Sequence, residues 1–314
     1  MAQGSAHDYS AAGHAGHGHL QVTEDTDARR LGIALALIVG LMTAEVVAGI
    51  LAHSLALLSD AAHMLTDAAA LGLSLVVIRL IARPAGGGNL TFGFKRAEIL
   101  SAQANGFTLL VLAGLILYGG VERIVSPPRP GGLAMVIVAL VGIVVNLIAT
   151  QQLSKANRAS MNVEGSFQHL LTDLAAFVFT AVAGGVILVT DFREADGIAA
   201  LAIAAIMLRA AYGLLRDSGR VLLEAAPGGM SVEEIGSALV SHPHVTSVHD
   251  LHVWEIGSGF PALSAHVLVH PGDDCHAIRH ELELMLEQQF ELEHTTLQVD
   301  HDRGGALLTI TPSP

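Results

Sequence analysis

Six long apolar segments constrain the fold of this 314-residue chain more than any other feature. Each is close to the roughly 20 residues that an α-helix needs to cross about 30 Å of hydrocarbon. Charged residues make up only 14% of the chain, against about 25% in soluble domains. The sequence therefore predicts a six-helix transmembrane domain over residues 31–216. The segments are 31–51, 55–81, 98–120, 133–153, 165–190 and 196–216.

The basic residues predict how these helices are oriented. Eleven Lys and Arg residues lie in or next to the N-terminal tail, the second and fourth loops and the end of the sixth helix, whereas three lie on the opposite side. Cytoplasmic loops carry the excess of positive charge. We therefore expect a multi-pass protein of the cell inner membrane with both termini in the cytoplasm.

The sequence predicts a tail at each end of the residues given. Residues 1–30 are rich in Gly, Ala, Ser and His, which predicts a disordered cytoplasmic segment, and residues 303–314 predict a second one. The tail histidines are either incidental or form a loose metal-collecting segment. These histidines are His7, His14, His17 and His19.

Residues 217–302 have a different character and predict a soluble domain. From Asp217 onward the chain has 15 acidic and 3 basic residues, which is most of the net charge of −13. This acidity excludes a nucleic-acid partner, because phosphate neutralisation needs clustered Lys and Arg. The pattern predicts the order α-β-β-α-β and hence an α+β domain of ferredoxin-like type. Its expected elements are 231–240, 245–256, 262–269, 273–290 and 295–300.

A short motif occurs twice in the membrane segments. His63 and Asp67 stand four residues apart in the second segment, and His169 and Asp173 repeat that spacing in the fifth. Positions i and i+4 share one face of a helix. The copies lie on the middle helix of each half, so three crossings invert the second half. This is the pattern of an inverted repeat with a site at the membrane midplane.

Two imidazoles and two carboxylates form a ligand set that suits tetrahedral Zn²⁺ without thiolates. A carboxylate at the bilayer centre costs about 2.5–3.5 kcal/mol, so a duplicated pair at equal depth predicts a function. The alternative is a packing network in which each His bonds its own Asp. Glu45 and Asp60 are candidates for an outer access path, and Asn105 and Asn146 for interhelical hydrogen bonds.

With these motifs, the sequence resembles the cation diffusion facilitator family of zinc transporters from about residue 30 to 302. The resemblance implies a homodimer with six helices and a ferredoxin-like cytoplasmic domain that exchanges cytosolic Zn²⁺ for external protons. It also implies a preference for zinc over larger ions such as cadmium. The matching segments are Ser59–Asp67, Phe92–Glu98, His169 with Asp173, Val248–Trp254, Leu263–Val267 and His294–Asp300.

The resemblance further implies a zinc site in the cytoplasmic domain near the dimer contact. Matching positions are His249, His266 and Asp300, with His276 or His294 as a further ligand. Gln298 stands where some relatives have His, which argues against a full two-metal site. The loop from Pro84 to Thr91 has neither Asp nor His, so we expect no metal there.

The expected function is efflux of Zn²⁺ in exchange for protons, which would confer metal resistance. Near neutral pH the two histidines are neutral and the aspartates ionised, so Zn²⁺ binds; a more acidic exterior protonates the ligands and displaces it. The acidic domain would sense zinc, because a bound dication screens repulsion between protomers.

The sequence also has to be compared with the pattern of a zinc protease and with other functions of a metal-binding membrane protein. A zinc protease helix would carry His-Glu-x-x-His, whereas Met64 and Leu170 follow the two histidines, so we expect no enzyme. Two alternatives remain. The chain could transport another divalent cation, with Co²⁺ or Cd²⁺ as further substrates, or it could be a membrane-anchored zinc receptor.

Overall fold

The computed structural model describes residues 17–51, 55–82, 89–126 and 132–302. Within these ranges six helices are long and apolar enough to cross a membrane, which confirms the predicted membrane architecture. They begin and end within a few residues of the predicted limits, except at the start of the first and at the end of the third and sixth. They are α1 (His17–Leu51), α2 (Leu55–Ile81), α3 (Ala97–Val125), α4 (Gly132–Ser154), α5 (Met161–Thr190) and α6 (Glu194–Leu222).

The start of α1 differs from the expectation. Residues 17–30 were expected to belong to a disordered tail, but they are helical. Asp27 is buried, and its Oδ1 accepts a hydrogen bond of 3.1 Å from the backbone N–H of Asn157 in the α4–α5 loop. A buried hydrogen bond to a carboxylate holds this part of α1 against the α4–α5 loop, and the helix begins before residue 31, the predicted start of the first membrane segment. His7 and His14 lie outside the described residues.

The membrane helices pack in two groups. One apolar core joins α1, α2, α4 and α5, and another joins α3 and α6 with a contribution from α5. Between α3 and α6 the backbones approach closely, because a Cβ atom at Gly197 would lie only 2.9 Å from the carbonyl oxygen of Gly120. Small residues permit such contacts between membrane helices.

The C-terminal domain has the predicted order α-β-β-α-β. The strands β1 and β2 are antiparallel, and β3 runs parallel to β2 at the other edge. The first helix of the domain is capped by Ser231, whose hydroxyl accepts a hydrogen bond from the N–H of Glu234. Both helices cover one face of the sheet and leave the other to solvent. The elements are α7 (Val232–Val240), β1 (Val245–Gly257), β2 (Phe260–Val269), α8 (Cys275–Phe290) and β3 (His294–His301).

The turn between β1 and β2 docks against the membrane domain, in an arrangement we call the hairpin contact. Glu98 at the start of α3 accepts the N–H of Ser258 at 2.7 Å and the hydroxyl of Ser160 at 2.8 Å. The Ser258 hydroxyl accepts the N–H of Met161, the first residue of α5, at 2.9 Å. The turn therefore satisfies one of the N–H groups that a helix start leaves without an intrahelical partner.

Two further contacts reinforce this junction. The Lys95 ammonium lies 3.2 Å above the ring of Phe260, a cation–π geometry. Arg96 pairs with Glu224 at 3.2 Å. The β1–β2 turn is thus held at the start of α3 and the start of α5.

Candidate metal centre

Three of the four residues predicted to bind metal in the membrane converge where α2 faces α5. The Nε2 atom of His169 lies 2.7 Å from Oδ1 of Asp67 and 3.9 Å from Oδ2 of Asp173. Each of the three offers one ligand atom, and these atoms all lie within 4.8 Å of one another. All three residues are buried, with 1% of His169 exposed. Among the described residues this is the only such group of three.

The geometry of His169 differs from the predicted alternative of local pairing. If each His served its own Asp, His169 would bond Asp173 on the next turn of α5, but it bonds Asp67 across the helix boundary instead. Ligands on a tetrahedral Zn²⁺ at about 2.0–2.1 Å stand roughly 3.3 Å apart. Shifts of about an ångström would bring all three atoms to that spacing.

The fourth predicted ligand is His63. It lies in α2, one turn before Asp67 and therefore on the same helical face, but its side chain is outside the described part of the structure. The side chain of Asp60 is also outside it. Glu45, the other candidate for an access path, is buried in α1.

The two buried asparagines do not behave alike. Asn146 donates its side-chain N–H to the carbonyl of Gly142 within its own helix at 3.2 Å. The prediction that this N–H group bonds to another helix is therefore wrong. Asn105 of α3 is buried against α5. A Cβ atom added at Gly165 would lie 3.4 Å from the Asn105 side-chain nitrogen.

In the C-terminal domain, three members of the second predicted metal set lie on the solvent-facing side of the sheet, but among the described residues they do not form a group with ligand atoms within 4.8 Å of one another. His249 and His266 are register partners on β1 and β2, with ring centroids 5.3 Å apart. Gln298 on β3 is the register partner of His266, and its side-chain N–H donates to Asp300 at 2.9 Å. We call His249, His266 and Asp300 the sheet-face set.

The two further ligands suggested for this set lie elsewhere in the chain. His294 begins β3, six residues or about 20 Å before Asp300, and its ring packs against Phe92 and Phe260. His276 is in the first turn of α8, the helix layer on the other side of the sheet. The completion of the sheet-face set by His276 or His294 stays a prediction.

Sequence reasoning missed a polar contact that lies beside the membrane centre. The residues are Ser74 of α2 and Asn162 and Ser166 of α5, all at most 1% exposed, and we call them the polar seam. The signal was present in the spacing: Ser74 follows Asp67 by seven residues, and Asn162 precedes His169 by seven. Positions seven apart share a helical face.

The comparisons with known proteins cover nearly the whole chain. The family model described as cation efflux transmembrane domain matches residues 31–223, and that described as cation efflux protein, cytoplasmic domain, matches residues 227–302. A solved structure, the metal-bound C-terminal domain of the CzcD transporter from Cuprividus metallidurans, is 30% identical and covers 23% of this chain and 99% of its own, with a TM-score of 0.22.

Curated relatives align over almost their full length. The cation efflux system protein CzcD of Alcaligenes sp. is 37% identical, covering 91% of this chain and 90% of its own. The cadmium, cobalt and zinc/H(+)-K(+) antiporter of Bacillus subtilis is 33% identical, covering 93% and 95%. The zinc transporter ZitB of Escherichia coli is 35% identical, covering 91% of each chain.

Proposed function

We propose that this chain, which belongs to the cation diffusion facilitator family, exports Zn²⁺ from the cytoplasm in exchange for protons. Members of this family transport metal cations, so the protein is a cation transporter and not an enzyme. The transported ion is held in the membrane by His63, Asp67, His169 and Asp173.

The observation that carries the proposal is the buried convergence of Asp67, His169 and Asp173. Two carboxylates close together in a low-dielectric site repel each other strongly unless a cation or protons neutralise them. A dication with oxygen and nitrogen ligands relieves that repulsion, and so does protonation. The same group can therefore bind either the metal or protons, which is the property that an exchanger needs.

The ligand chemistry supports zinc as the principal substrate. With His63 the set has two imidazoles and two carboxylates, and such a four-coordinate set suits Zn²⁺, whereas manganese favours more oxygen ligands. The relatives named for zinc, for cobalt and for cadmium support a wider range. Co²⁺ and Cd²⁺ are accordingly the alternative substrates to test.

Protons are the proposed counter-ion because the ligands titrate. Neutral imidazole binds metal and protonated imidazole does not, so a more acidic outer side would favour release of the ion. The name of the Bacillus subtilis relative includes H(+), which supports this coupling. Positive loop charge supports a location in the cell inner membrane with both termini in the cytoplasm.

We further propose that the protein is a homodimer whose sheet-face set binds regulatory Zn²⁺. The C-terminal family model carries a name that refers to a dimer, and the set offers two imidazoles and a carboxylate on an open face. Since His294 begins β3 about 20 Å before Asp300, a second copy would have to supply any ligand from that position.

Purified protein in vesicles tests the transport proposal. We expect the native chain to carry Zn²⁺ under an imposed pH gradient, and Asp173→Ala and Asp173→Asn to reduce the flux to that of protein-free vesicles. The matched control is Asp217→Asn, which alters an exposed aspartate at the end of α6. Unchanged flux in both Asp173 variants would refute the site.

The same vesicles separate the alternatives. Flux that does not depend on the pH gradient would refute proton exchange. Zinc binding with no flux in the native protein would support the membrane-anchored receptor instead. Replacing Zn²⁺ by Co²⁺ or Cd²⁺ in the same assay measures the substrate range directly.

A further inference from the structure

The polar seam joins the two helices that carry the membrane centre. The Asn162 side-chain N–H donates to the backbone carbonyl of Ser74 at 2.9 Å. The Ser166 hydroxyl lies 2.7 Å from the Ser74 hydroxyl and 3.1 Å from the Asn162 carbonyl oxygen. With exposures of 0% for Ser74 and Asn162 and 1% for Ser166, the seam is closed to water.

The seam lies between the centre and the side of the membrane that carries the C-terminal domain. Along α2, Ser74 is about 10 Å beyond Asp67, and along α5, Asn162 is about 10 Å before His169. Both displacements point toward the hairpin contact, because Met161, the residue before Asn162, donates its N–H to the Ser258 hydroxyl in that contact. An ion approaching between α2 and α5 from that side meets the seam first.

Apolar packing closes the rest of this layer. Leu71 of α2 and Val163 and Leu170 of α5 are each at most 1% exposed and belong to one core with Leu31 of α1 and Leu153 of α4. Dense packing of this kind leaves no room for a hydrated cation. The described structure is therefore closed between the centre and the C-terminal domain.

We propose that the polar seam is the gate on this side: the transported cation reaches Asp67, His169 and Asp173 only when Ser74 separates from Asn162 and Ser166. This inference rests on the proposed function. Hydrogen bonds suit a reversible contact, because the separated groups exchange their bonds for bonds to water at a small net cost. An all-apolar contact would expose its whole surface when opened.

One buried atom lowers the stability of the closed arrangement relative to the open one. Within the described residues, the buried Oδ1 of Asn162 has no hydrogen-bond partner. Burying an unsatisfied acceptor costs free energy, and opening the seam would hydrate it. This offsets part of the gain from the seam's own hydrogen bonds, so the two states lie closer in free energy.

A cysteine pair tests whether the seam must open. Replacing the only cysteine, as Cys275→Ser, gives a parent into which Ser74→Cys and Ser166→Cys are introduced together. The two hydroxyl oxygens lie 2.7 Å apart, so sulfur atoms at these positions need only a small approach to reach the roughly 2.05 Å of a disulfide bond. We expect oxidation to cross-link α2 to α5 and to stop Zn²⁺ flux, and reduction to restore it. The single variants cannot form this cross-link, so oxidation should leave the flux of each at the value that the same variant has when reduced.

Continued flux through the cross-linked protein would overturn the gate, and so would failure of the pair to cross-link. If the pair does not fold, single-cysteine labelling decides. Ser74→Cys should react with a water-soluble maleimide at a rate that changes between Zn²⁺-loaded and Zn²⁺-free protein. Ser218→Cys, equally buried and bonded within its own helix, is the control that should stay unlabelled.

A Ser74→Cys labelling rate as low as that of Ser218→Cys with and without Zn²⁺ would refute the proposal. Labelling needs no transport. A parent that carries no metal would therefore refute the proposed function, while the labelling would still test whether the seam opens.

Discussion

At the scale of single residues, the important distinction is which carboxylate His169 bonds. The two aspartates have the same chemistry. From Nε2 of His169, however, Asp67 is 2.7 Å away on the neighbouring helix α2, and Asp173 is 3.9 Å away on the same helix, α5. A bond across the boundary ties the geometry of the centre to the relative position of α2 and α5. Any movement of one helix against the other must then change the ligand set.

The first prediction concerns the imidazole. We expect His169→Gln to weaken Zn²⁺ binding at the membrane centre by at least the roughly 10–100-fold that loss of an outer-shell partner causes, because a direct ligand is lost. Calorimetric titration in a His266→Ala background would measure the membrane site by itself. His280→Gln, at an exposed position of α8, is the control. An unchanged dissociation constant for His169→Gln would exclude this histidine from the site.

At the scale of elements, the close approach of neighbouring backbone explains two of the glycines. On α6, a Cβ atom at Gly197 would lie 2.6 Å from a side-chain carbon of Ile124 and 2.9 Å from the backbone of Gly120. Next to the hairpin contact, a Cβ atom at Gly257 would lie 3.1 Å from the Lys95 carbonyl. Both positions need the smallest residue because backbone, which cannot rotate away, is the neighbour.

The second prediction tests the α3–α6 contact. We expect Gly197→Ala to destabilise the protein by about 1–3 kcal/mol through overpacking. Gly213→Ala on the same helix meets nothing within 4 Å and should be neutral or stabilising, since Ala favours a helix over Gly by about 0.5–1 kcal/mol. Thermal unfolding of both variants in the same detergent makes the comparison. Equal effects would mean that the two helices are not tightly packed at Gly197.

At the scale of the whole molecule, the hairpin contact joins the acidic domain to the helices that carry the metal centre. Glu98 accepts bonds from the β1–β2 turn and from Ser160, the residue before α5. β1 and β2 also carry His249 and His266. A change on the sheet face can therefore reach the start of α5 through one pair of strands and one turn.

The third prediction tests that junction. Glu98→Gln should weaken the hairpin contact, because hydrogen bonds to a charged group contribute about 1.5–3 kcal/mol. Amide hydrogen exchange at Ser258 and Met161 should then become roughly tenfold faster or more. Glu287→Gln, at an exposed position of α8, should leave both rates unchanged. Equal protection in Glu98→Gln would show that the carboxylate does not hold the turn.

The fourth prediction concerns charge and metal together. From Asp217 onward there are 15 acidic and 3 basic residues, so two such domains in a homodimer repel each other, and bound Zn²⁺ reduces the repulsion. We expect spin labels on Cys275 of the two copies to move closer when Zn²⁺ is added and apart when a chelator removes it. His249→Ala with His266→Ala should abolish the change. A distance distribution insensitive to Zn²⁺ in the native protein would refute the sensing role.

The sequence by itself determined the elements and the candidates. Hydropathy and period located six membrane helices and the α-β-β-α-β order, and the spacing of four placed His169 and Asp173 on one face, because these are local properties of a chain. Tertiary structure alone decided which residues meet. That Asp67 bonds His169, that Asp27 accepts a hydrogen bond from Asn157, and that a polar seam closes beside the centre all depend on packing between distant segments. Such contacts follow from how whole surfaces fit together, which no local pattern records.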